Sequence, residues 1–136
     1  MDLSTINWLA VAVCALASFV VGSLWYSPIL FGRRWQKELG FTDEYLKEGN
    51  MGLIFGSSFV MMFIMIIGLA MLMTKAEDPS LIQGFVHGII VGAFFIGTSM
   101  GVNYLYQRRS IALWFIDAGY QVFYLGISGA ILAVWR

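Results

Sequence analysis

Apolar residues in this 136-residue chain gather into four long blocks, and most polar residues lie between them. The blocks cover residues 6–26, 51–73, 81–106 and 111–135. Each is longer than the roughly 18 apolar residues that suggest a membrane-spanning helix. Of the acidic residues only Asp117 lies inside a block, and no lysine or arginine does. The pattern predicts an all-α integral membrane bundle of four transmembrane helices, forming a single membrane domain over residues 1–136 with the lipid bilayer around it.

The composition agrees with a membrane protein, because 60% of the residues are hydrophobic and only 12% are charged. Soluble domains are about a quarter charged. A cleaved secretory signal peptide is the main alternative for the first block. It is disfavoured because Asp2 stands in the region that should be positive, and bulky Trp25 and Tyr26 stand where a cleavage site needs small residues.

The polar segment after the first block has an amphipathic pattern. Phe31, Trp35 and Leu39 recur every four residues, with basic and polar residues between them. This spacing predicts a short helix over residues 29–39 that lies in the membrane interface. Thr42 is a suitable N-cap for another helix, so the second span could begin well before residue 51.

The charges predict an orientation in the membrane. Loops 27–50 and 107–110 lie on one side and carry six of the eight Lys and Arg residues. The positive-inside rule therefore places this side in the cytoplasm and both termini on the non-cytoplasmic side. Trp25, Tyr26 and Trp35 are predicted interface anchors on the cytoplasmic side, because aromatic rings collect at that depth.

Small residues predict where helices pack closely. The third block contains Gly84, Gly88 and Gly92 at four-residue spacing, and the fourth contains Gly119 and Gly126. Glycines at such spacing let helix backbones approach in a membrane, where apolar surface alone gives little drive to associate. The spacing leaves open whether the contact forms within one subunit or between subunits.

The fourth block has a polar stripe opposite its small residues at about 100° per residue. The stripe consists of Asp117, Gln121, Tyr124 and Ser128. Both faces of this helix should therefore contact protein, and a bundle of only four helices can barely surround it. A homo-oligomer would supply the second surface, although a single bundle with one central helix is the alternative.

Asp117 is the sharpest candidate for chemistry. A charged carboxylate inside the membrane costs about 2.5–3.5 kcal/mol, so it needs a partner, water or a proton. The predicted partners are Ser99, Asn103, Arg33 and Arg34. Two roles stay open: a carboxylate that handles protons or cations, and one that only links helices.

His87 is the only histidine and is predicted near the non-cytoplasmic boundary, far in depth from Asp117. It is a candidate at the outer mouth of a path, or a histidine bonded between packed helices. With one histidine and one cysteine, no metal site, disulfide or cofactor is predicted. No catalytic motif and no basic nucleic-acid-binding face is present, so an enzyme is less favoured and no catalytic residue is named.

Three segments together resemble a known family. They are Gly22-Ser-Leu-Trp-Tyr-Ser-Pro-Ile-Leu-Phe-Gly32, Asn103-Tyr-Leu-Tyr106 with Arg108-Arg109-Ser110, and Ile116-Asp-Ala-Gly-Tyr120. The chain resembles the domain of unknown function 1761 family over nearly its whole length. The resemblance implies a small bacterial protein of four spans, hence a multi-pass protein of the inner (plasma) membrane. It implies no substrate and no site residues.

Three functional hypotheses follow. The leading one is an oligomeric channel- or transporter-like protein for protons, ions or a small polar solute, with the polar stripe lining the path. The second is a non-transporting structural or interaction protein, in which the stripe specifies helix pairing. The third is an enzyme or lipid-headgroup-binding protein at the cytoplasmic interface, where the arginines would gather anionic lipid.

Overall fold

The structure, a computed structural model, describes residues 3–136, which form helices and loops without a strand. In chain order the helices are α1 (Trp8–Trp25), α2 (Gly32–Leu39), α3 (Asp43–Glu48), α4 (Met51–Met73), α5 (Leu81–Ile90), α6 (Thr98–Tyr106) and α7 (Ile111–Val134). A 3-10 turn, Leu3–Thr5, precedes α1, and a π-helical segment, Val91–Gly97, joins α5 to α6. We call the continuous stretch Leu81–Tyr106 the third span.

Four helical stretches are long and apolar enough to cross a membrane: α1, α4, the third span and α7. The predicted fold class, an all-α bundle of four membrane helices, is therefore confirmed. The end of the bundle where α1 ends and α7 begins also carries α2 and α3, and we call it the basic end. The 3-10 turn and the C-terminus of α7 lie at the opposite end.

Polar side chains set where the long helices begin. The side-chain oxygen of the preceding residue accepts a hydrogen bond from a first-turn backbone N–H, which would otherwise have no partner. These residues are Asn7, Asn50, Ser80 and Ser110. Thr42 caps the separate short helix α3 in the same way. The second span therefore begins at Met51, and the helix capped by Thr42 is not part of it.

Helix α7 lies at the centre of the bundle and packs against α1, α4 and the third span. The side chain of Leu125 in α7 is fully buried, as are Val11 and Cys14 of α1 and Ile66 of α4. Helices α1 and α4 also pack against each other. One chain thus surrounds α7 on two sides, which matches the single-bundle alternative stated above.

The third span approaches α7 at backbone distance. A Cβ atom added to Gly84 would overlap the carbonyl oxygen of Gly129, and one added to Gly88 would overlap that of Leu125. At Gly92 an added Cβ would lie 2.7 Å from the Cα of Val122. Only residues without a side chain fit this contact.

The corner between α1 and α2 is tighter than the predicted helix over residues 29–39. The carbonyl of Ser27 accepts from the backbone N–H groups of Leu30 and Gly32, and Phe31 N–H donates to Trp25 O. These bonds form turns after Pro28, so α2 begins at Gly32 and not at residue 29. It ends at Gly40, whose φ of 69° suits glycine.

Candidate functional site: the Asp117 clamp

Two tyrosines hold the carboxylate of Asp117. The hydroxyl of Tyr26 donates to Oδ1 at 2.7 Å, and the hydroxyl of Tyr104 donates to Oδ2 at 2.6 Å. The three residues come from the end of α1, from α6 and from α7. We call this group the Asp117 clamp, because it joins three of the four spans near the basic end.

The residue before Tyr26 strengthens the same contact. The indole Nε1–H of Trp25 donates to the backbone carbonyl of Ile116 at 2.9 Å. Its ring also faces Gly119, where an added Cβ would lie 3.1 Å from the indole carbon Cζ2. Two consecutive residues at the end of α1 therefore bind two consecutive residues of α7, which fixes the register of the two helices.

The clamp meets the chemical need of an acid inside a membrane. A buried carboxylate is costly without donors, and here each oxygen accepts one hydroxyl hydrogen bond. Within residues 3–136 no group of three or more metal-ligating side chains is assembled. The two hydroxyl hydrogen bonds link α1, α6 and α7 through one carboxyl group.

The remaining polar stripe of α7 faces side chains of α1 and α4. Tyr124 is buried and its hydroxyl donates to Sδ of Met65 at 2.7 Å. The buried Ser128 offers its backbone carbonyl to the thiol of Cys14 at 3.7 Å. The side-chain Oε1 of Gln121 is buried and has no hydrogen-bond partner within the described chain. Tyr124 and Ser128 of the stripe therefore contact α4 and α1, whereas the side-chain oxygen of Gln121 is left without a partner.

A fifth α7 residue, missing from the predicted stripe, also reaches α1. The hydroxyl of Tyr120 donates to the backbone carbonyl of Ser18 at 2.9 Å. Its ring lies 5.5 Å from that of Tyr26 and 5.0 Å from that of Tyr124, measured between ring centroids. Tyrosines therefore form a continuous row between α7 and the pair α1 and α4.

The predicted partners of Asp117 must be corrected. Ser99 and Asn103 are exposed on the outside of the third span, and the two tyrosines take the place assigned to them. Arg33 is exposed, and Arg34 pairs instead with Glu38 at 2.6 Å. The two tyrosine hydroxyls bind Asp117 in place of the predicted partners, because they reach it from inside the bundle.

His87 lies on the exposed surface of α5, toward the opposite end from Asp117. Its ring Nδ1 is 2.7 Å from the backbone carbonyl of Gln83, one turn earlier in the same helix. The structure does not bring His87 and Asp117 together.

The aromatic residues predicted as interface anchors are engaged with the bundle. The polar atoms of Trp25 and Tyr26 bind α7, as described above. The ring of Trp35 packs edge-on against Tyr26, with 5.8 Å between centroids. Helix α2 is therefore docked onto the Asp117 clamp through Trp35.

Predicted packing glycines fall on the two sides of α7. Gly84, Gly88 and Gly92 meet its backbone, and an added Cβ at Gly126 would lie 2.9 Å from the ring of Phe85. Gly119 faces Trp25 of α1 instead. These close contacts all form within one chain.

A second polar contact joins α2 to the start of α7. The carboxylate of Glu38 accepts from the hydroxyl of Ser110 and from Arg34. These two hydrogen bonds, the Ser110 bond first, hold the pKa of Glu38 below its usual value. The basic end is thus fixed by Trp35 on one side of α2 and by Glu38 on another.

Tyr26 and Tyr104 are the site residues that the sequence did not connect with Asp117. Both were visible as tyrosines near the ends of their spans, on the same side of the membrane as Asp117. A phenol is a strong donor that packs easily among apolar side chains, so tyrosines at matching depth were the available signal.

A family profile described as "Protein of unknown function (DUF1761)" matches residues 9–133, nearly the whole chain. The chain belongs to the DUF1761 family. No curated protein matches the chain. No solved structure matches it either. In this DUF1761 protein the three segments that carry the resemblance meet at one place, because they supply Tyr26, Tyr104 and Asp117 to the clamp.

Proposed function

We propose that this DUF1761 protein is a non-transporting structural or interaction protein of the membrane. The observation that carries the proposal is the packing of the polar face of α7. Tyr124 and Ser128 are buried against α1 and α4, and Asp117 is held by two tyrosines. Polar side chains used this way specify which helices pair and in which register.

The cavities near the bundle support this proposal. The more enclosed one has a volume of about 150 Å³ and lies at the opposite end, lined by residues that include Asn7, Met73 and Arg136. None of its lining residues belongs to the polar stripe. A transport path along α7 would need space beside the stripe, where Tyr124 and Ser128 instead contact Met65 of α4 and Cys14 of α1.

Ion or proton flux in liposomes tests the proposal against transport. Purified protein is reconstituted with a pH-sensitive or ion-sensitive dye, and wild type is compared with Asp117→Asn across a panel of ions and pH values. We expect flux equal to that of protein-free liposomes for both. Flux that requires Asp117 would overturn the proposal and restore the channel-like hypothesis.

We place the protein in the bacterial inner membrane with the basic end in the cytoplasm and both termini outside. The charge distribution supports this orientation, because six of the eight Lys and Arg residues lie at the basic end. Reporter domains that are active on only one side of the membrane, fused to either terminus, test it. Activity of a cytoplasm-only reporter at the C-terminus would contradict this orientation.

Self-association is part of the interaction role, and we place it on the outward faces. Both faces of α7 are used within the chain, whereas Gly56 of α4 has open space around it and Gly52 meets only the side chain of Asn50. Chemical cross-linking in membranes at low protein density tests this. A species of only monomer mass would contradict self-association.

A further inference from the structure

Two segments of the basic end present exposed cations. Arg33 and Lys37 lie on α2, and Arg108 and Arg109 lie in the turn between α6 and α7. Arg34 is also exposed, but Glu38 neutralises it in the one salt bridge found among residues 3–136. The other four cations are therefore available to an anion.

The packing of α2 against α7 brings these segments together. Ser110, the N-cap of α7, directly follows the two arginines of the turn. Lys37 and its neighbour Glu38 lie on α2, and Glu38 interacts electrostatically with Ser110. Cations from both segments thus flank the junction of α2 and α7.

The turn that carries the arginines is fixed by backbone hydrogen bonds. The N–H of Arg108 donates to Leu105 O at 3.1 Å, and that of Arg109 donates to Tyr104 O at 2.9 Å. Arg108 has a φ of 55°, which makes the turn tight. Because Tyr104 belongs to the Asp117 clamp, the turn is anchored to the core of the bundle.

Acidic groups limit where an anion can bind: Glu38 at the junction is paired with Arg34, and the others near α2 belong to α3. Asp43 at the start of α3 accepts a hydrogen bond from Gln36 at 2.8 Å. Glu44 and Glu48 are exposed on the same short helix, beyond Gly40. An anion is therefore favoured at the junction of α2 with the turn and disfavoured beside α3.

An exposed apolar tip stands directly before α2. Ile29 is 88% exposed and Leu30 is 52% exposed. They precede Arg33 by four and three residues. Cations next to apolar side chains at the edge of a membrane bundle match a molecule with an anionic head and an apolar body.

We propose that the phosphate of an anionic phospholipid binds at the junction of α2 and the α6–α7 turn, held by Lys37, Arg108 and Arg109, with its acyl chains along Ile29 and Leu30. Charge complementarity favours this occupant, and the bilayer supplies it at high local concentration. The inference adds a lipid partner to the proposed structural or interaction role of the protein. It rests on the protein lying in a membrane and not on the absence of transport.

Native mass spectrometry of protein released from mixed bilayers tests the site. Bilayers contain equal amounts of phosphatidylglycerol and phosphatidylcholine, and the ratio of the two retained lipids is measured. We expect wild type to retain phosphatidylglycerol preferentially. Each neutralised cation should lower the ratio about fivefold, since one basic residue near an anionic surface contributes about 1 kcal/mol. The test variants are Lys37→Gln, Arg108→Gln, Arg109→Gln and their combination.

Matched variants separate the site from general charge and from misfolding. Lys75→Gln removes a cation from the opposite end, and we expect it to leave the ratio unchanged. Arg108→Lys with Arg109→Lys keeps the charges and should retain most of the preference. A ratio unchanged in the combined glutamine variant would overturn the proposal, and so would an equal fall in Lys75→Gln.

Soluble anions distinguish a lipid from free phosphate. Inorganic phosphate and glycerol phosphate are added at millimolar concentration, and we expect neither to displace the retained phosphatidylglycerol. Ile29→Ser with Leu30→Ser should lower lipid retention, because the apolar contact is lost. A lipid site would be contradicted if inorganic phosphate displaced the phosphatidylglycerol and the two serine substitutions left lipid retention unchanged. The liposome flux result stands apart from these outcomes, so failure of one proposal is not failure of the other.

Discussion

The two faces of α7 are packed by opposite means. Toward the third span the contact is made of backbone, because Gly84 and Gly88 lie against the carbonyls of Gly129 and Leu125. Toward α1 and α4 the contact is made of polar and aromatic side chains, with Tyr120 and Tyr124 among them. Along α5 the contact is specified by absent side chains, whereas α1, α4 and Tyr104 at the basic end of the third span contact α7 through hydrogen bonds.

The difference shows how one helix can select two kinds of neighbour in a membrane. Glycine contacts give close van der Waals packing and exclude any larger residue. Hydrogen bonds between side chains tolerate small shifts, but they fix which residues lie opposite each other. The glycine face should therefore be the more sensitive to a single added methyl group, and the polar face the more sensitive to loss of one donor or acceptor.

The largest effect is expected at Gly88. Gly88→Ala forces the added methyl group into the carbonyl of Leu125, so the third span must move away from α7. We expect a loss of about 3 kcal/mol in the free energy of unfolding, the upper end for overpacking. Denaturation in detergent micelles, followed by circular dichroism, measures it.

Gly68→Ala is the matched control on α4, because an added Cβ meets nothing within 4 Å there. Its unfolding free energy should change by less than about 0.5 kcal/mol. If Gly88→Ala were as stable as Gly68→Ala, the backbone contact between the third span and α7 would be wrong.

The next effect is expected at Asp117. Asp117→Ala leaves the hydroxyls of Tyr26 and Tyr104 without their acceptor inside the bundle. Loss of an acceptor for buried donors costs about 1–3 kcal/mol, and we expect about 2 kcal/mol here. Asp117→Asn keeps one carbonyl acceptor and should cost less. Unfolding curves of both variants measure this, and equal stability of Asp117→Ala and wild type would refute a clamp.

Trp25 should have a smaller effect. Trp25→Phe keeps an aromatic ring but removes the indole donor to Ile116 O. We expect a loss of about 1 kcal/mol, the usual net value of one hydrogen bond. Trp8→Phe at the opposite end, on a largely exposed ring, is the control. If Trp8→Phe lost more unfolding free energy than Trp25→Phe, the assignment of Trp25 as the packed tryptophan of α1 would be wrong.

The smallest effect is a pH dependence at Glu38. Its pKa is held below the usual value by Ser110 and Arg34, so the contact adds stability above the ordinary glutamate range. That stability is lost as the pH falls through the lowered pKa and the carboxylate takes up a proton. Trp35 fluorescence, which reports docking of α2, should change as pH falls below about 4.5.

Glu38→Gln is the control for this titration, because an amide cannot titrate in that range. The fluorescence change below the glutamate range should be absent from the variant. An identical change in wild type and Glu38→Gln would assign the effect to another group.

Much of the fold was predictable because it depends on patterns that can be read along the sequence. Four long apolar blocks define the spans, and glycine spacing in residues 84–92 has few uses other than close packing. The partners of Asp117 were harder, because they depend on the rotation of each helix. Ser99 and Asn103 follow the π-helical segment Val91–Gly97, whose winding affects the direction in which the residues of α6 point, and sequence depth does not give that direction.

Local turn geometry was the other feature that spacing could not give. Residues 29–31 continue the apolar pattern of α2, yet the hydrogen bonds to Ser27 O and Trp25 O hold them in turns. The same corner aims Tyr26 at α7. Tyr26, which the sequence assigns to the membrane interface, thus donates a hydrogen bond inside the bundle. The direction of the chain at Pro28 decides where its side chain lies.

A double-mutant cycle between Asp117 and Tyr104 tests the central claim most directly. The unfolding free energies of wild type, Asp117→Ala, Tyr104→Phe and the double variant are measured in the same bilayer-mimicking micelles. A hydrogen bond between the two predicts that the single losses are not additive, with a coupling free energy of about 1–2 kcal/mol. Losses that add to within about 0.3 kcal/mol would contradict the clamp.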